Sequence, residues 1–379
     1  MKVSEITIGI LGGGQLAKMT AQEARKLGFS VVILDPTPEA PAEMVAKQIV
    51  GDFRKSEDVK KLSEVSTVLT YDIENINTEA LREVKEKVFP SVEILEIIQD
   101  KLKQKEFLKK HNLPTPNFKK INNIEDITTF PCVQKSRKGG YDGRGVFLIK
   151  TKEDLKNAIT SPSYIEELVN IEKELAVIVA RNKKGEITVF PVVEMVFNPK
   201  GNILDMLIAP AQIDGKIQEQ IKEISIETIK AFEGIGIFGI EFFLSKEGEI
   251  LINEIAPRPH NSGHYTIEAC TTNQFEQHVR SILNLPLGTT DLLIPAVMIN
   301  LLGEENYYGT PIYEGFEEIL AIPGTYAHIY GKKETFPLRK MGHITIIDKD
   351  LEKAIEKARF VKTKIKVKGE KYESRNNNG

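Results

Sequence analysis

Hydrophobic and polar positions alternate in a regular strand-and-helix order over the first 100 residues. The apolar run Ile6–Leu11 predicts a buried strand, the glycines Gly12–Gly14 predict a tight turn, and Gln15–Leu27 predicts an amphipathic helix. A further apolar run, Val31–Leu34, predicts the next strand. This β-turn-α-β order predicts an α/β, doubly wound parallel domain over residues 1–100.

The middle of the chain opens with a predicted helix, Asp100–His111, and then changes to short apolar runs separated by glycine turns. The predicted strands are Cys132–Lys135, Gly145–Ile149, Leu175–Val179, Thr188–Val193, Gly239–Phe243 and Ile250–Ile255. Because these strands greatly outnumber the helices, we expect an α+β domain over residues 101–290.

The last segment, residues 291–379, predicts a small β-rich C-terminal domain. Its strand-like runs are Ala296–Leu301, Thr325–Tyr330 and His343–Ile347, and a charged helix is predicted near Asp350–Val361. The polar segment that follows this helix and ends in Asn376–Gly379 predicts a disordered tail.

Composition and charge exclude several classes of function. The 379 residues contain 51 Lys+Arg against 54 Asp+Glu, a formal net charge of −3, which gives no general attraction to nucleic acid or to an anionic membrane. The two cysteines, Cys132 and Cys270, lie far apart and predict neither a disulfide framework nor a zinc site. No signal-peptide core or run of about 18 apolar residues occurs, so we expect a soluble, cytoplasmic protein with small-molecule partners.

The first glycine turn permits several interpretations. Gly12, Gly14 and Ala17 satisfy G-x-G-x-x-G/A, and Asp35 stands where a ribose-binding carboxylate of a dinucleotide site would stand. However, glycine amides at a helix N-terminus bind any phosphate, including that of a sugar-phosphate substrate. Dinucleotide binding, substrate-phosphate binding and a purely structural turn therefore all remain open at this point.

A second glycine-rich loop, Ser136–Gly145, lies between two predicted strands. Its four glycines let backbone amides approach phosphate oxygens, while Lys135, Lys138 and Arg144 supply positive charge. The alternative is a solvated β-hairpin loop with no ligand. No G-K-[ST] closes the loop onto a helix, so the spacing is not a Walker A motif, and it favours another kind of nucleotide site.

Two glutamates, Glu241 and Glu254, interrupt apolar strands on either side of a predicted turn. A carboxylate within an apolar strand is costly unless a cation or hydrogen bonds compensate it. Paired across antiparallel strands, the two carboxylates can share a divalent cation, with Asn253 or Asn261 adding a neutral oxygen. Mg²⁺ is the predicted ion and Mn²⁺ the alternative; solvated glutamates on an edge strand are the competing interpretation.

The order of these features resembles the ATP-grasp superfamily, and nearly the whole chain resembles the N5-carboxyaminoimidazole ribonucleotide synthetase family. The motifs that carry the resemblance are Gly12–Leu16, Leu34–Pro38, Gly139–Gly145, Asn253–His264 and Arg339–His343. The resemblance implies a Rossmann-like pre-ATP-grasp domain, an ATP-grasp domain with a glycine-rich lid, and the small C-terminal domain.

The resemblance also implies roles for particular residues. The implied ATP-binding residues are Lys101, Lys135, Gly140, Tyr141, Asp142, Gly143, Arg144, Gly145, Val146, Glu166, Glu167, Leu168, Val169, Glu174, Asn253 and Glu254. The implied ribonucleotide and bicarbonate contacts are Gly12, Gly13, Gly14, Gln15, Glu74, Tyr141, Arg144, Arg258, His260, Asn261, Lys333, Arg339 and Lys340. Arg258, His260 and Lys135 are the implied catalytic residues, and Glu241 and Glu254 the implied metal ligands.

Two positions depart from the family pattern. Phe336-Pro337-Leu338 stands where the family commonly has Arg-Pro-Gly, and Phe197 stands where it commonly has a histidine that contacts ATP. These departures predict weaker ligand contacts but the same class of reaction.

By the resemblance, the chain is a homodimeric enzyme of purine biosynthesis that uses ATP and bicarbonate to carboxylate 5-aminoimidazole ribonucleotide through carboxyphosphate. Three alternatives remain at this stage. They are a formate- or amino-acid-dependent ATP-grasp ligase of purine synthesis, an NAD-dependent oxidoreductase, and a catalytically silent nucleotide-binding module.

Overall fold

The computed structural model describes residues 2–139, 145–197 and 203–372. The helices are α1 Gln15–Lys26, α2 Ser56–Glu64, α3 Thr78–Arg82, α4 Val92–Ile98, α5 Lys101–Lys110, α6 Gly215–Ala231, α7 Thr266–Ala269, α8 Gln274–Ile282, α9 Phe316–Leu320 and α10 Leu351–Lys364. The strands are β1 Thr7–Leu11, β2 Ser30–Asp35, β3 Lys47–Val50, β4 Val68–Tyr71, β5 Phe118–Lys120, β6 Cys132–Ser136, β7 Val146–Ile149, β8 Ser163–Glu167, β9 Ile171–Arg181, β10 Ile187–Val189, β11 Val193–Phe197, β12 Leu204–Ala209, β13 Gly236–Ser245, β14 Ile250–Ala256, β15 Ala296–Leu302, β16 Tyr307–Glu314, β17 Thr325–Ile329, β18 Lys340–Ile347 and β19 Lys366–Tyr372.

The N-terminal part is a parallel four-stranded sheet in the order β3-β2-β1-β4. Apolar side chains of β1 and β2 are buried under α1, whose alanines Ala17, Ala21 and Ala24 allow the helix to lie close to the sheet. Gly28, with φ +88°, follows the end of α1 in the left-handed conformation that glycine tolerates best. The predicted doubly wound sheet and its first helix are confirmed.

Two antiparallel sheets build the middle of the molecule. A four-stranded sheet has the order β5-β8-β6-β7, and a larger nine-stranded sheet begins with β14-β13-β9-β11-β12. Strand β6 of the smaller sheet faces strand β14 of the larger sheet, since Lys135 on β6 donates to Asn253 on β14 at 3.0 Å. Helix α5 lies at the same place. A cleft between two sheets therefore lies beside one helix.

Three strands of the C-terminal segment continue the large sheet, while β16 and β19 form a separate two-stranded sheet. Strand β12 pairs with β15, with Ala209 opposite Ala296, and the order continues through β18 to β17. Helix α10 covers this end of the sheet, and its residues Ala358 and Val361 are fully buried. The predicted β-rich segment is present, but hydrogen bonds cross the boundary predicted near residue 290.

Two sequence predictions for the middle of the chain were wrong. The single strand predicted at Thr188–Val193 is two strands, β10 and β11, because the chain leaves the sheet around Pro191 between them. The 17-residue helix α6 was missed. It buries Ile221, Ser225, Thr228 and Ile229, a face with mixed polarity that weakens the apolar periodicity.

In the ranges 2–139, 145–197 and 203–372, no helix is both long enough and apolar enough to cross a membrane. The lid residues Gly140–Arg144 and the predicted disordered tail from residue 373 lie outside the described residues.

Candidate active site

The N-terminus of helix α5 holds the beginning of the glycine-rich loop. Asp100 caps the helix by accepting from the amide of Leu102 at 3.1 Å, and it also accepts from Nε of Arg137 at 3.0 Å. The backbone closes the same junction, since the Lys101 amide donates to the Arg137 carbonyl at 2.8 Å. This loop therefore leaves the sheet from a position fixed by a buried carboxylate.

Lys135, predicted to contact ATP phosphates, lies in the cleft between the two sheets. Its ammonium is 2.6 Å from Oε2 of Glu166 and donates to Oδ1 of Asn253 at 3.0 Å. Glu166 was predicted to hold adenine, but its side chain is 2% exposed and pairs with Lys135 and with Lys105. The carboxylate of Glu166 is thus committed to two lysines, and its backbone lies in β8, which pairs with both β5 and β6. Its predicted contact with adenine stays a prediction.

The segment after Glu166 lies at the edge of the cleft. Leu168 is 46% exposed, and the Glu167 carboxylate accepts from the backbone amide and side-chain amide of Asn117, both at 2.9 Å. Further along, on β9, burial raises the pKa of Glu174 to about 7 against the opposing effect of Lys135. The predicted adenine and ribose contacts are therefore neighbours in the structure, but their ligand roles stay predictions.

Glu241 and Glu254 are paired directly across the antiparallel strands β13 and β14. Asn253 lies beside them, with its side-chain nitrogen 3.4 Å from Oε2 of Glu241. Burial, followed by the charges of Glu254 and Glu174, raises the pKa of Glu241 to about 7. Lys101 donates to Oε2 of Glu254 at 2.8 Å, so a cation already compensates one of the two carboxylates.

This arrangement fits a divalent cation that takes few protein ligands. Within the described ranges, no group of three or more His, Cys, Asp or Glu side chains is arranged to hold a metal ion alone. Mg²⁺ commonly binds one or two carboxylates and completes its octahedron with phosphates and water. The cross-strand pair Glu241 and Glu254 matches that chemistry, and the pKa of Glu241 is raised by burial first and by the neighbouring carboxylates second.

The first glycine turn does not leave its amides free. The Gly12 amide donates to the Leu34 carbonyl at 2.9 Å, that of Gly13 to Asp35 Oδ2 at 2.8 Å, and that of Gly14 to Asp72 Oδ2 at 2.9 Å. In the ligand-free structure these three amides therefore have internal acceptors, and their predicted contact with a substrate phosphate stays a prediction.

Beyond the three glycines, the start of α1 still offers donors to a ligand. Among the described residues, no acceptor reaches the amides of Gln15 or Leu16. Asp35 also accepts a hydrogen bond from the backbone amide of Thr37 at 2.8 Å. Its carboxylate therefore binds the protein's own backbone and points away from the position of a dinucleotide ribose. This geometry disfavours the NAD interpretation.

Asp72 is a site residue that the sequence interpretation missed. It follows β4 directly, and its carboxylate accepts from the amides of Gly14 and, at 3.3 Å, of Ala17. Burial is the main cause that raises its pKa to about 7, and the Asp35 charge adds to it, while Arg258 opposes it. The available signal was its position, since a carboxylate at the end of the strand beside β1 must lie at the glycine turn.

Arg258 and His260 lie on the segment that follows β14. Arg258 is 2.6 Å from Oε1 of Glu74, and this ion pair joins the middle part of the chain to the N-terminal domain. His260 Nδ1 lies 2.8 Å from Ser262 Oγ, and its Nε2 lies 3.6 Å from Glu241 Oε1. Burial and the charges of Arg258 and Lys340 lower the pKa of His260 to about 3, so its imidazole is neutral at pH 7.

Asn261, next in the chain, hydrogen-bonds away from the N-terminal domain. Its side-chain nitrogen donates to Asn300 Oδ1 on β15 at 3.2 Å, while its own Oδ1 is buried without a partner among the described residues. It lies next to His260, but its predicted contact with substrate stays a prediction.

The C-terminal turn between β17 and β18 contacts the N-terminal domain. Lys18 on α1 donates to the carbonyls of Ile329 and Tyr330 at 3.1 and 3.2 Å, and Lys333 forms an ion pair with Glu39. Lys340 is close enough to lower the pKa values of Glu241 and His260. The turn therefore folds back towards the N-terminal domain that carries the glycine turn.

Arg339 lies in the same turn and contacts other residues of that turn. Its guanidinium lies 5.0 Å from the centroid of the Phe336 ring and donates to the Glu334 carbonyl at 2.7 Å. Phe336, one of the departures from the family pattern, therefore packs against the cation. A shared grip of Arg339, Lys333 and Lys340 on a ribonucleotide stays a prediction.

Three family models match consecutive parts of the chain. They describe a ribonucleotide synthetase preATP-grasp domain at residues 5–99, an ATP-grasp domain at residues 106–275, and a phosphoribosylaminoimidazole carboxylase C-terminal domain at residues 296–357. The three matched regions meet at the cleft and turns described above.

Full-length similarity extends to several known proteins. The chain is 37% identical over 353 residues to the N5-carboxyaminoimidazole ribonucleotide synthase of Bacillus subtilis, covering 90% of this chain and 91% of that protein. The crystal structure of N5-carboxyaminoimidazole ribonucleotide synthetase from Thermotoga maritima is 56% identical, with a TM-score of 0.90, and covers 96% of this chain and 100% of that one.

A complexed structure adds information on ligands. The N5-carboxyaminoimidazole synthase of Aspergillus clavatus, solved with ADP and 5-aminoimidazole ribonucleotide, is 32% identical with a TM-score of 0.87 and covers 96% of this chain and 99% of that one. The chain spans only 65–67% of the length of the yeast and plant phosphoribosylaminoimidazole carboxylases that it also matches. The activities of those longer proteins as a whole are therefore not transferred to it.

Proposed function

The chain belongs to the N5-carboxyaminoimidazole ribonucleotide synthase family, and from this premise we propose how its residues perform the reaction of that family. The reaction is the ATP-dependent carboxylation of 5-aminoimidazole ribonucleotide by bicarbonate, which yields N5-carboxyaminoimidazole ribonucleotide, ADP and phosphate. The observation that carries the proposal is the cleft in which Lys101 and Lys135 face the cross-strand pair Glu241 and Glu254.

Bicarbonate requires activation because it is a poor electrophile: its carbon is electron-rich and hydroxide leaves badly. Transfer of the γ-phosphoryl group of ATP to a bicarbonate oxygen breaks the bond to ADP and forms carboxyphosphate. Lys135 and Lys101 are placed to stabilise the charge on the transferring group, since positioning and electrostatics dominate such transfers. A divalent cation at Glu241 and Glu254 would add Lewis-acid neutralisation of the phosphate charge.

Carboxyphosphate must be protected from water until it releases CO2 and phosphate. The glycine-rich loop is anchored at Arg137 on one side of the described structure and re-enters β7 at Val146 on the other. We propose that the intervening segment, residues 140–144, closes over the nucleotide as the family resemblance implies. Closure would exclude water and complete the phosphate contacts.

The exocyclic amine of the ribonucleotide then attacks the CO2 carbon and loses a proton. His260, Glu74 and the released phosphate are the candidate acceptors. With a pKa of about 3 in the ligand-free enzyme, His260 is neutral but weakly basic, and Glu74 is paired with Arg258. An anion bound beside His260 would raise this pKa, since negative neighbours favour the imidazolium. We therefore assign the proton to His260 or to the phosphate that has just been released.

We further propose Mg²⁺ as the cation, a homodimer as the assembly and the cytoplasm as the location. The carboxylate pair supports the first, and the family resemblance supports the other two. Sedimentation at micromolar concentration tests the dimer, and the metal dependence of ADP release, with Mn²⁺ as the comparison, tests the cation.

The test of the function is ADP release by the purified chain with 5-aminoimidazole ribonucleotide and MgATP, in the presence and absence of bicarbonate. We expect rapid release only with bicarbonate. Release supported equally well by formate would identify a formate-dependent ligase instead. Release that is independent of the ribonucleotide would contradict the proposed acceptor.

A further inference from the structure

Lys105 is a buried lysine that none of the roles above uses. It lies on α5 one helical turn after Lys101, and its side chain is 1% exposed. Its ammonium donates to Thr115 Oγ1 at 2.8 Å and to the Ile252 carbonyl at 3.1 Å. A buried ammonium is costly, so its third contact, a carboxylate 3.0 Å away on Glu166, is its compensating charge.

Glu166 connects this lysine to the phosphate side of the cleft. Its carboxylate is 2% exposed; Oε1 faces Lys105, and Oε2 lies 2.6 Å from the ammonium of Lys135. The hydroxyl of Tyr164 adds a hydrogen bond to Oε1 at 3.2 Å. One carboxylate thus lies between two ammonium groups, and the group of three carries one net positive charge.

The position of that net charge matters for ATP. Without Lys105, Glu166 would neutralise Lys135 as a simple ion pair, and the cleft would lose the charge that attracts phosphate. With Lys105 in place, the carboxylate is already compensated from its buried side. Lys135 is then held in a fixed position, also by Asn253, while its charge remains uncancelled.

We propose that Lys105 is a positioning residue that compensates the charge of Glu166 and so keeps Lys135 oriented and electrostatically available to the phosphates of ATP. The inference rests on the proposed function of the cleft. It concerns the nucleotide half of the reaction, and Lys105 itself contacts no substrate.

The alternative is that Lys105 only fills space between α5 and β14. The effect of removing both charges at once distinguishes the two explanations. If Lys105 acts by compensating Glu166, removing both charges at once restores the net charge of +1 on Lys135. If Lys105 acts only through packing, a second substitution in the same buried place should leave the KM for ATP as high or raise it further.

The experiment compares Lys105→Met, Glu166→Gln and the double variant by steady-state kinetics, with the exposed Lys110→Met on the same helix as the matched control. We expect Lys105→Met to raise the KM for ATP by about 10- to 100-fold, the scale of a lost charge-assisted contact. The double variant should recover about 10-fold of that loss, with little change in the KM for the ribonucleotide. A double variant as poor as Lys105→Met, or poorer, would overturn the proposal.

A pH profile tests the same idea on the unmodified protein and on Lys105→Arg, a variant that keeps the positive charge. Burial is the main cause that lowers the pKa of Lys105 to about 8, and the charge of Lys135 lowers it further. The carboxylates of Glu166 and Glu254 oppose this shift. Kcat/KM for ATP should therefore fall as pH rises through about 8, because neutral Lys105 no longer compensates Glu166. Lys105→Arg, which stays charged, should lose this alkaline decline. An identical decline in Lys105→Arg would contradict the inference.

Failure of the proposed function can be told apart from failure of this inference. If the wild-type chain releases no ADP with bicarbonate and ribonucleotide, the proposed reaction fails. Calorimetric binding of a non-hydrolysable ATP analogue to the wild type and the same four variants still decides the role of Lys105. Equal affinities for wild type and Lys105→Met would reject it whatever reaction the cleft performs.

Discussion

The nucleotide side and the ribonucleotide side of this molecule hold their charges in different ways. In the cleft, Lys105, Glu166 and Lys135 have side chains only 1–11% exposed and form one connected group. On the other side, Lys333 and Glu39 are 63% and 67% exposed and pair across two domains. Surface pairs of that kind contribute little stability, whereas buried groups hold a fixed geometry.

The difference suggests that the two substrates are received differently. ATP enters a cleft whose lysines are already oriented. At the site that we propose, the ribonucleotide would replace contacts that the protein makes with itself, such as Arg258 with Glu74 and Lys333 with Glu39. Its affinity is therefore a difference between two sets of interactions, and should be the more sensitive to salt.

The largest expected effect comes from removing a carboxylate of the cleft. Glu254→Gln keeps the shape of the side chain but removes the charge paired across the strands with Glu241, so kcat should fall by about 100- to 1000-fold. Initial rates at saturating MgATP measure it. The exposed Glu249→Gln, on the turn before the same strand, is the control.

Circular dichroism would show that the Glu254→Gln protein is folded. Normal turnover in that folded protein would remove the metal assignment and with it the contrast between the two sides.

The glycine turn tests the ribonucleotide side. Gly12 has φ +98°, and a Cβ there would lie 1.7 Å from Asp72 Oδ1, so Gly12→Ala forces the carboxylate away from the Gly14 amide. We expect a loss of unfolding free energy above the ~1–2 kcal/mol of left-handed strain alone. We also expect a KM for the ribonucleotide raised by about 10-fold or more, on the scale of one lost charge-assisted contact, and an unchanged KM for ATP.

Gly185→Ala is the matched control for Gly12→Ala, because Gly185 has φ +87° but no atom within 4 Å of its added Cβ. It should show the strain without the kinetic change. Equal effects of Gly12→Ala on both substrates would mean that the turn serves the whole enzyme and not the ribonucleotide.

Sequence reasoning predicted the parts of this site that local patterns encode. The parallel N-terminal sheet, helix α5 and the cross-strand pair of Glu241 and Glu254 follow from periodicity and from carboxylates within apolar strands. Sequence reasoning did not predict that Glu166 would be buried between two lysines. Nor did it predict that Asp72 would accept a hydrogen bond from a glycine amide. Those arrangements depend on contacts between distant elements, which no local spacing specifies.

The C-terminal turn sharpens the comparison with a smaller effect. Arg339→Ala removes a cation that we place beside the ribonucleotide phosphate, so its KM should rise by about 10-fold at 1.4 kcal/mol per decade. The KM for ATP should stay nearly unchanged. The exposed Arg359→Ala on α10 controls for loss of one positive charge. Wild-type behaviour of Arg339→Ala toward the ribonucleotide would place the turn outside the site.

The smallest effect is a pH dependence on the nucleotide side. Burial and the neighbouring carboxylates raise the pKa of Glu241 to about 7, and Mg²⁺ requires the ionised form. Protons therefore compete with the metal ion for Glu241 below about pH 7. The ionised fraction of Glu241 falls from about three quarters at pH 7.5 to about one quarter at pH 6.5, so the affinity for MgATP should fall about threefold. Titration calorimetry at the two pH values measures it. Stronger binding at the lower pH would contradict the assignment.

The central claim is that the cleft transfers the γ-phosphoryl group of ATP to an oxygen of bicarbonate before the amine is carboxylated. Bicarbonate labelled with ¹⁸O tests this directly, because the bicarbonate oxygen that attacks the γ-phosphorus stays on the phosphate when carboxyphosphate releases CO2. Turnover with 5-aminoimidazole ribonucleotide and MgATP should give inorganic phosphate carrying one ¹⁸O for each ADP formed, measured by mass spectrometry. Unlabelled phosphate formed alongside carboxylated product would contradict the account.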